Sequence, residues 1–487
     1  MAHLGSSDTE IYHYDACVTA DKCLLSAPLH IFQSYMEQAV CNPLEIQTVE
    51  KNSKYCAWDI LRDSLNVLPV ILPTLLGLTL SQLLCQHLPL RSMRRFLVEF
   101  LLTALPTVCS STVTSGYNKL YCLVIGTLIT LLIFRYGTWR GAAAKHCYDV
   151  GKKPAAITLL RATSYICTGC VILAVDFKVF PFEWRKNRTY GASLMDVGIG
   201  MFVMSMGVVS QRAQNLTDMR RVVRVVLPLL MLGLTRTVVI TLINYDQDEH
   251  EYGTHLNAFF TLGFTKLLGS LCSLLARSDK QLLPLALVIL ALHEFLLQLG
   301  LSAYVMSSAN RNNLLSANRE GLSALPGCIS LYLLSTWGGR WFKSKDKLNY
   351  AQFLSKLRNM LLVTSASWLL AFASIFLFGI ARVTFNAGYV SWLFSIGTIL
   401  LLLCSFLFEF CMMAPTGKPT SLPAIVETIN LNGLTHFILC NLLTGLVNLT
   451  LNPAKRSSGE CVAILMLYML ASTGMVYVLF RKGIRIA

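Results

Sequence analysis

Asp176 ends the apolar run Cys170-Val171-Ile172-Leu173-Ala174-Val175, Lys186 follows ten residues later, and Asp196 opens the next apolar, glycine-spaced stretch. Ionisable side chains at membrane depth are costly to desolvate and for that reason tend to mark function. A partly desolvated carboxylate beside an ammonium can serve as a general base whose protonation is tuned by that partner. A simpler reading is also open from spacing alone. In it Asp176 caps or anchors a helix end at the interface, while Arg185 and Lys186 reach water along their aliphatic stems.

Other polar groups sit in similar surroundings, each with two readings. Arg236 and Lys266 lie inside apolar runs, which points to a water-filled or anionic cavity. Asn441 and Asn448 are seven residues apart and share one helix face, either bonding to a neighbouring helix or contacting a substrate. His255 and Asn257 follow the acidic stretch of Asp246, Asp248, Glu249 and Glu251, and either read sugar hydroxyls or serve the structure. Asn318, Arg319 and Glu320 precede an apolar run, where they cap a helix and pair with each other, or where Arg319 binds a lipid phosphate. His293 is an intramembrane histidine without a surrounding catalytic pattern, and Cys167 with Cys170 reads as helix packing. Walker loops, metal-ligand spacings and the GxSxG elbow are not found, so no metal and no bound cofactor are expected.

The elements that must hold these groups are set by composition. Of 487 residues, 54% are hydrophobic and 14% charged, against roughly a quarter charged in a soluble domain. Apolar runs of about 18 residues or more read as helices crossing a bilayer. Thirteen are found, near 64-87, 95-114, 119-135, 157-175, 192-211, 222-243, 256-276, 282-300, 320-337, 356-380, 389-413, 433-450 and 461-480. The predicted fold is therefore an all-α, polytopic transmembrane bundle: a polar segment over 1-63, then one membrane domain over 64-487 with a polar loop near 176-191. Most Lys and Arg fall in alternate loops that include 338-358 and the C-terminus. The positive-inside rule then places the C-terminus in the cytosol, with the N-terminus and the loop after Asp176 in the lumen. This face and anionic lipid account for the net charge of +15 without nucleic acid. Cys17, Cys23, Cys41 and Cys56 fall in the expected lumenal segment, where disulfides are allowed and the pairing is open. No protein partner can be inferred.

The run Ile172-Leu173-Ala174-Val175-Asp176-Phe177, then Phe180-Pro181, Lys186, Tyr190-Gly191, Met195-Asp196, Gly198 and Gly200, resembles the signature loop of the glycosylphosphatidylinositol (GPI) inositol acyltransferases, the PIG-W family. Three further blocks resemble that family in the same order. They are Glu251-Tyr252-Gly253 with His255, Asn257 and Phe259-Phe260-Thr261; Ser316-Ala317-Asn318-Arg319-Glu320-Gly321; and Asn432-Gly433-Leu434 with Asn441 and Thr444-Gly445-Leu446-Val447-Asn448. Departures mark a divergent member. Lys178 stands at a usual Pro, Phe182-Glu183-Trp184-Arg185 replaces two Arg, Phe and Ala, Leu256 replaces Trp, and Asp246-Gln247-Asp248 replaces Gln-Glu-His. Arg382, Asn386, Tyr389 and Trp392 keep only part of another block.

The resemblance implies transfer of a fatty acyl chain, expected to be palmitoyl, from acyl-CoA to an inositol hydroxyl of glucosaminyl-phosphatidylinositol in the endoplasmic reticulum membrane. Asp176 and Lys186 carry over as the catalytic candidates. His255, Asn257, Asn318, Arg319, Asn441, Asn448 and Arg236 are the candidates for substrate contact. The CoA phosphates are expected on the basic cytosolic side, near Lys152, Lys153, Arg220, Arg221, Arg340 and Lys343. A polytopic lipid or sugar transporter is the alternative, although the internal repeats common in transporters are not detected.

Overall fold

The computed structural model describes residues 56–136, 148–149, 153–242, 248–344, 347–412 and 422–486. Most of the polar segment expected over 1-63 lies outside the described residues, as do Cys17, Cys23, Cys41, Asp246 and Lys152.

The apolar runs fold as helices because a helix satisfies its own backbone groups away from water. The chain enters through α1 (Ala57–Asn66), α2 (Leu68–Cys85), α3 (Met93–Ser110) and α4 (Asn118–Tyr136). Next come α5 (Ala155–Ala174), α6 (Leu194–Val209), α7 (Leu216–Leu242) and α8 (Ala258–Ser273). After α9 (Leu282–Leu296) a π-turn leads to the short α10 (Ser302–Met306) and α11 (Leu314–Ala317), then to α12 (Arg319–Phe342). The chain ends with α13 (Tyr350–Phe378), α14 (Ala387–Cys404), α15 (Ala424–Leu431), α16 (Gly433–Leu451) and α17 (Ser458–Arg481). Two short strands, β1 (Tyr148–Asp149) and β2 (Lys347–Leu348), pair antiparallel.

Among the described residues, nine segments are long and apolar enough to cross a membrane. They fall short of the thirteen expected by α3, α6, α8 and α12. The helices α6 and α8 have 16 residues each, or about 24 Å of rise against a hydrocarbon core of about 30 Å. Three charges, Arg94, Arg95 and Glu99, set α3 apart, whereas in α12 Gly, Ser, Thr and Pro dilute the uncharged stretch between Glu320 and Arg340.

The bundle is organised around α5, which touches α2, α3, α6, α14, α15, α16 and α17. It is 72% buried, whereas α7 is 11% buried and turns its apolar side chains outward. Small residues allow the closest crossings. A Cβ on Gly339 of α12 would fall 2.1 Å from the Val208 carbonyl oxygen of α6, so only glycine fits there.

The helices separate two polar ends. Asn318 Oδ1 accepts from the His255 and Leu256 amides at 2.9 and 3.2 Å, tying the start of α12 to the 248–257 segment. The 24 residues of α12 then rise about 36 Å to the opposite end. There Lys343 Nζ donates to the Val208 carbonyl at 3.1 Å, and Arg340 and Arg212 pair with Asp279 at 2.9 and 3.3 Å. The loop after Asp176 shares the first end, through contact with Glu251.

Candidate functional site

Asp176 follows the last turn of α5, its amide donating to the Leu173 carbonyl at 3.1 Å. Opposite it on α16, Asn448 Nδ2 donates to Asp176 Oδ2 at 2.9 Å. Burial pushes the Asp176 carboxyl above its usual range, and the Asn448 hydrogen bond, Arg185 and Lys186 pull in the other direction. Asn448 Oδ1 is buried and has no hydrogen-bond partner among the described residues. A carboxylate and a free amide oxygen therefore lie side by side, both able to accept from a hydroxyl.

The direct partner of Lys186 differs from the expectation. Its ammonium forms an ion pair with Glu251, from the 248–253 turn, and acts on Asp176 only at longer range. Spacing does not reveal this pairing, since Glu251 lies 65 residues beyond Lys186.

The loop that carries Lys186 is anchored by a buried network. Asp196, in the first turn of α6, accepts from Asn187 Nδ2 at 2.8 Å, from Ser193 Oγ at 2.8 Å and from Arg382 Nε at 2.9 Å. Arg382 also lies 6.0 Å from the centre of the Tyr252 ring, beside Glu251. Tyr190 Oη bonds to Ser302 Oγ at 3.0 Å, and the Gly191 amide donates to the Ile380 carbonyl at 2.8 Å.

Asp176, Lys186, Arg236, Asp248, Glu251, Asn441 and Asn448 line one cavity of about 550 Å³. Away from these groups the wall is mixed, with Val171 and Ile172 of α5, Phe202 of α6 and Phe437 of α16 alongside the hydroxyls of Thr163, Ser164, Thr168 and Thr444. Glycine at 198 leaves that wall open. Arg236, exposed at the cavity on α7, has no ion pair among the described residues.

Four sequence candidates lie outside the lining. Asn257 caps α8, accepting from the Phe259 amide at 3.0 Å and donating to the Gly233 carbonyl at 2.9 Å. Asn318 bonds to His255 Nδ1 at 3.1 Å and to the Leu314 carbonyl at 2.9 Å, besides the amides above. His255 is exposed and held by these contacts. Arg319 is 4% exposed and donates to the Ala309 carbonyl at 2.8 Å and to that of Ser307, gathering the preceding loop.

Buried groups elsewhere serve the frame. His293 Nε2 donates to the Thr384 carbonyl at 2.8 Å, and Glu294 accepts from the Ala387 amide at 2.8 Å, fixing the 379–387 loop. Lys266 Nζ reaches Ser210 Oγ and Tyr332 Oη at 2.6 and 3.0 Å. Cys170 contacts Ser111, and Cys167 contacts Thr74 and also lines the cavity. No group of His, Cys, Asp and Glu that could hold a metal occurs among the described residues.

Comparison with known proteins gives the same direction. The GPI-anchored wall transfer protein 1 of Schizosaccharomyces pombe is 33% identical over 346 residues, covering 69% of this chain and 74% of its own. The protein of that name from Kluyveromyces lactis is 31% identical over 402 residues, 77% of this chain and 84% of its own. The phosphatidylinositol-glycan biosynthesis class W protein of Dictyostelium discoideum is 29% identical over 456 residues, 82% of this chain and 89% of its own. The sequence profile of the GWT1 family matches residues 61–479, and every part of the cavity falls within that range: the chain belongs to the GWT1 family.

Proposed function

We propose that this protein transfers a fatty acyl group from acyl-CoA to an inositol hydroxyl of glucosaminyl-phosphatidylinositol during GPI-anchor assembly. Membership of a family of GPI inositol acyltransferases of the endoplasmic reticulum membrane supports acyl transfer over transport. The observation that carries the reading is the Asp176–Asn448 hydrogen bond in a cavity that also has an apolar stretch of wall at Val171, Ile172, Phe202 and Phe437. That arrangement suits a hydroxyl at the bonded pair and an acyl chain along the apolar stretch.

In the reaction, the inositol oxygen attacks the thioester carbonyl while its proton passes to Asp176. The tetrahedral intermediate collapses with loss of CoA as the thiolate. Asp176 is the general base, and Asn448 holds its carboxylate toward the cavity while its free Oδ1 orients the hydroxyl. Lys186 and Arg236 supply the positive charge that the carbonyl oxygen and the lipid phosphodiester require. Val171, Ile172, Phe202 and Phe437 receive the acyl chain. Of the basic patch expected for the CoA phosphates, Arg340 and Lys343 lie at the far end, engaged with Asp279 and the Val208 carbonyl.

Purified protein in detergent, given acyl-CoA and a glucosaminyl-phosphatidylinositol analogue, should form the acylated lipid, detected by its mass. A transporter would form no covalent product and would show activity only between two compartments. That second result would overturn the reading.

A further inference from the structure

Three acids of the 248–253 turn face cations from two other segments. Glu251 pairs with Lys186, Asp248 with Arg188 at 3.4 Å, and Glu249 with Arg311 at 3.0 Å. Glu251 and Lys186 are distinct in that both partners line the cavity. The turn is held firmly. The Gly253 amide donates to the Glu249 carbonyl at 2.9 Å, and Gly253 adopts a φ of +95°, where a Cβ would meet Asn318 Cα at 2.6 Å. The backbone that carries Glu251 is thus fixed, and Lys186 has the longer, more flexible side chain of the pair.

The ammonium proposed to assist acyl transfer is bound to a carboxylate other than Asp176. The pair is open to water, with Lys186 36% and Glu251 24% exposed. An ion pair in such a setting is weak and readily exchanges one cation for another. The lipid under "Proposed function" carries such a cation, the ammonium of its amino sugar, one glycosidic bond from the inositol that must reach Asp176.

We propose that Glu251 is the residue that selects the amino sugar: the glucosamine ammonium takes the place of Lys186 on the Glu251 carboxylate, and Lys186 turns to the acyl carbonyl beside Asp176. This rests on the acyltransferase reading. The exchange replaces one positive charge by another, so the carboxylate is never left bare. An N-acetylated sugar offers a neutral amide, leaves Lys186 bound to Glu251, and is acylated slowly. Substrate binding itself thereby completes the site.

The test compares kcat/KM for glucosaminyl- and N-acetylglucosaminyl-phosphatidylinositol with one acyl-CoA, in the parent and in Glu251→Gln. The parent should favour the free amine by on the order of tenfold or more, since only the amine releases Lys186 from Glu251 to the acyl carbonyl. Glu251→Gln should bring the ratio close to one, by loss on the amine and by gain on the N-acetylated lipid, since Lys186 is then free of the carboxylate. Glu251→Asp, which keeps the charge, should retain a preference between the two and keeps the test usable where the glutamine variant folds poorly. A Glu251→Gln protein that slows both lipids equally and keeps the parental ratio would show a merely structural role and overturn the inference. So would a parent without preference. A parent that acylates neither lipid would contradict the acyltransferase reading itself and take this inference with it.

Discussion

Asn448 donates to Asp176 across 2.9 Å, joining α16 to the end of α5 over 272 residues of sequence. A hydrogen bond to the ionised carboxylate stabilises that form and lowers its pKa, against burial, which raises it. A base must be ionised to act, so the rate should rise with pH through the Asp176 pKa. Asn448→Leu removes a lowering influence, so the acid limb of the pH–rate profile should move to higher pH. The loss of rate should then be largest at low pH. A profile displaced downward with its acid limb unmoved would count against the bond's role.

The Asp196–Arg382 pair fixes the loop that carries Lys186, with side chains 0% and 4% exposed. Removing one partner of such a pair leaves an uncompensated charge and costs about 3–5 kcal/mol. Arg382→Met should lower the thermal unfolding midpoint in detergent and make the 176–191 loop more susceptible to protease. Replacing both partners with apolar residues should restore part of the midpoint, since the bare charge is then gone. Equal stability of parent and Arg382→Met would contradict this account of the network.

Gly198 lines the cavity, and a Cβ there would meet only Thr168, at 3.7 Å. Gly198→Leu should therefore fold while narrowing the cavity. Acylation with long-chain donors should fall and that with shorter chains should fall less, read as kcat/KM across an acyl-CoA series. An unchanged chain-length profile would place the acyl chain elsewhere.

The loop after Asp176 and the segment around Lys347 lie at opposite ends of the bundle. Phe182, 85% exposed, should face the lumen by the charge rule. In sealed microsomes, an impermeant maleimide should label Lys347→Cys above the parental background and leave Phe182→Cys unlabelled until the membrane is opened. The reverse pattern would invert the topology.

The sequence revealed the helices because apolar runs need no partner to be recognised. The run interrupted by Pro106 continues as one helix, α3, since membrane helices tolerate proline when neighbours satisfy the freed carbonyl. Asp176 and Lys186 were legible as charges bordering apolar runs, and Asn441 with Asn448 as amides on one face. The ion pair of Lys186 with Glu251 and that of Asp196 with Arg382 were not, because they join segments 65 and 186 residues apart. Nor does residue type reveal a donor already engaged by the frame. Asn257, Asn318 and Arg319 resemble binding residues in sequence, yet their polar groups face caps and loop carbonyls.

The central claim is that Asp176 is the base, and Asp176→Asn tests it most directly. The asparagine keeps the volume and one oxygen toward Asn448 but cannot take the inositol proton. In protein matching the parent in membrane insertion and detergent-solubilised size, acylation of glucosaminyl-phosphatidylinositol should fall on the order of a hundredfold or more. A structural cap lost at that position would lower stability by about 1 kcal/mol and leave turnover largely intact. A well-folded Asp176→Asn protein that acylates at near the parental rate would contradict the assignment.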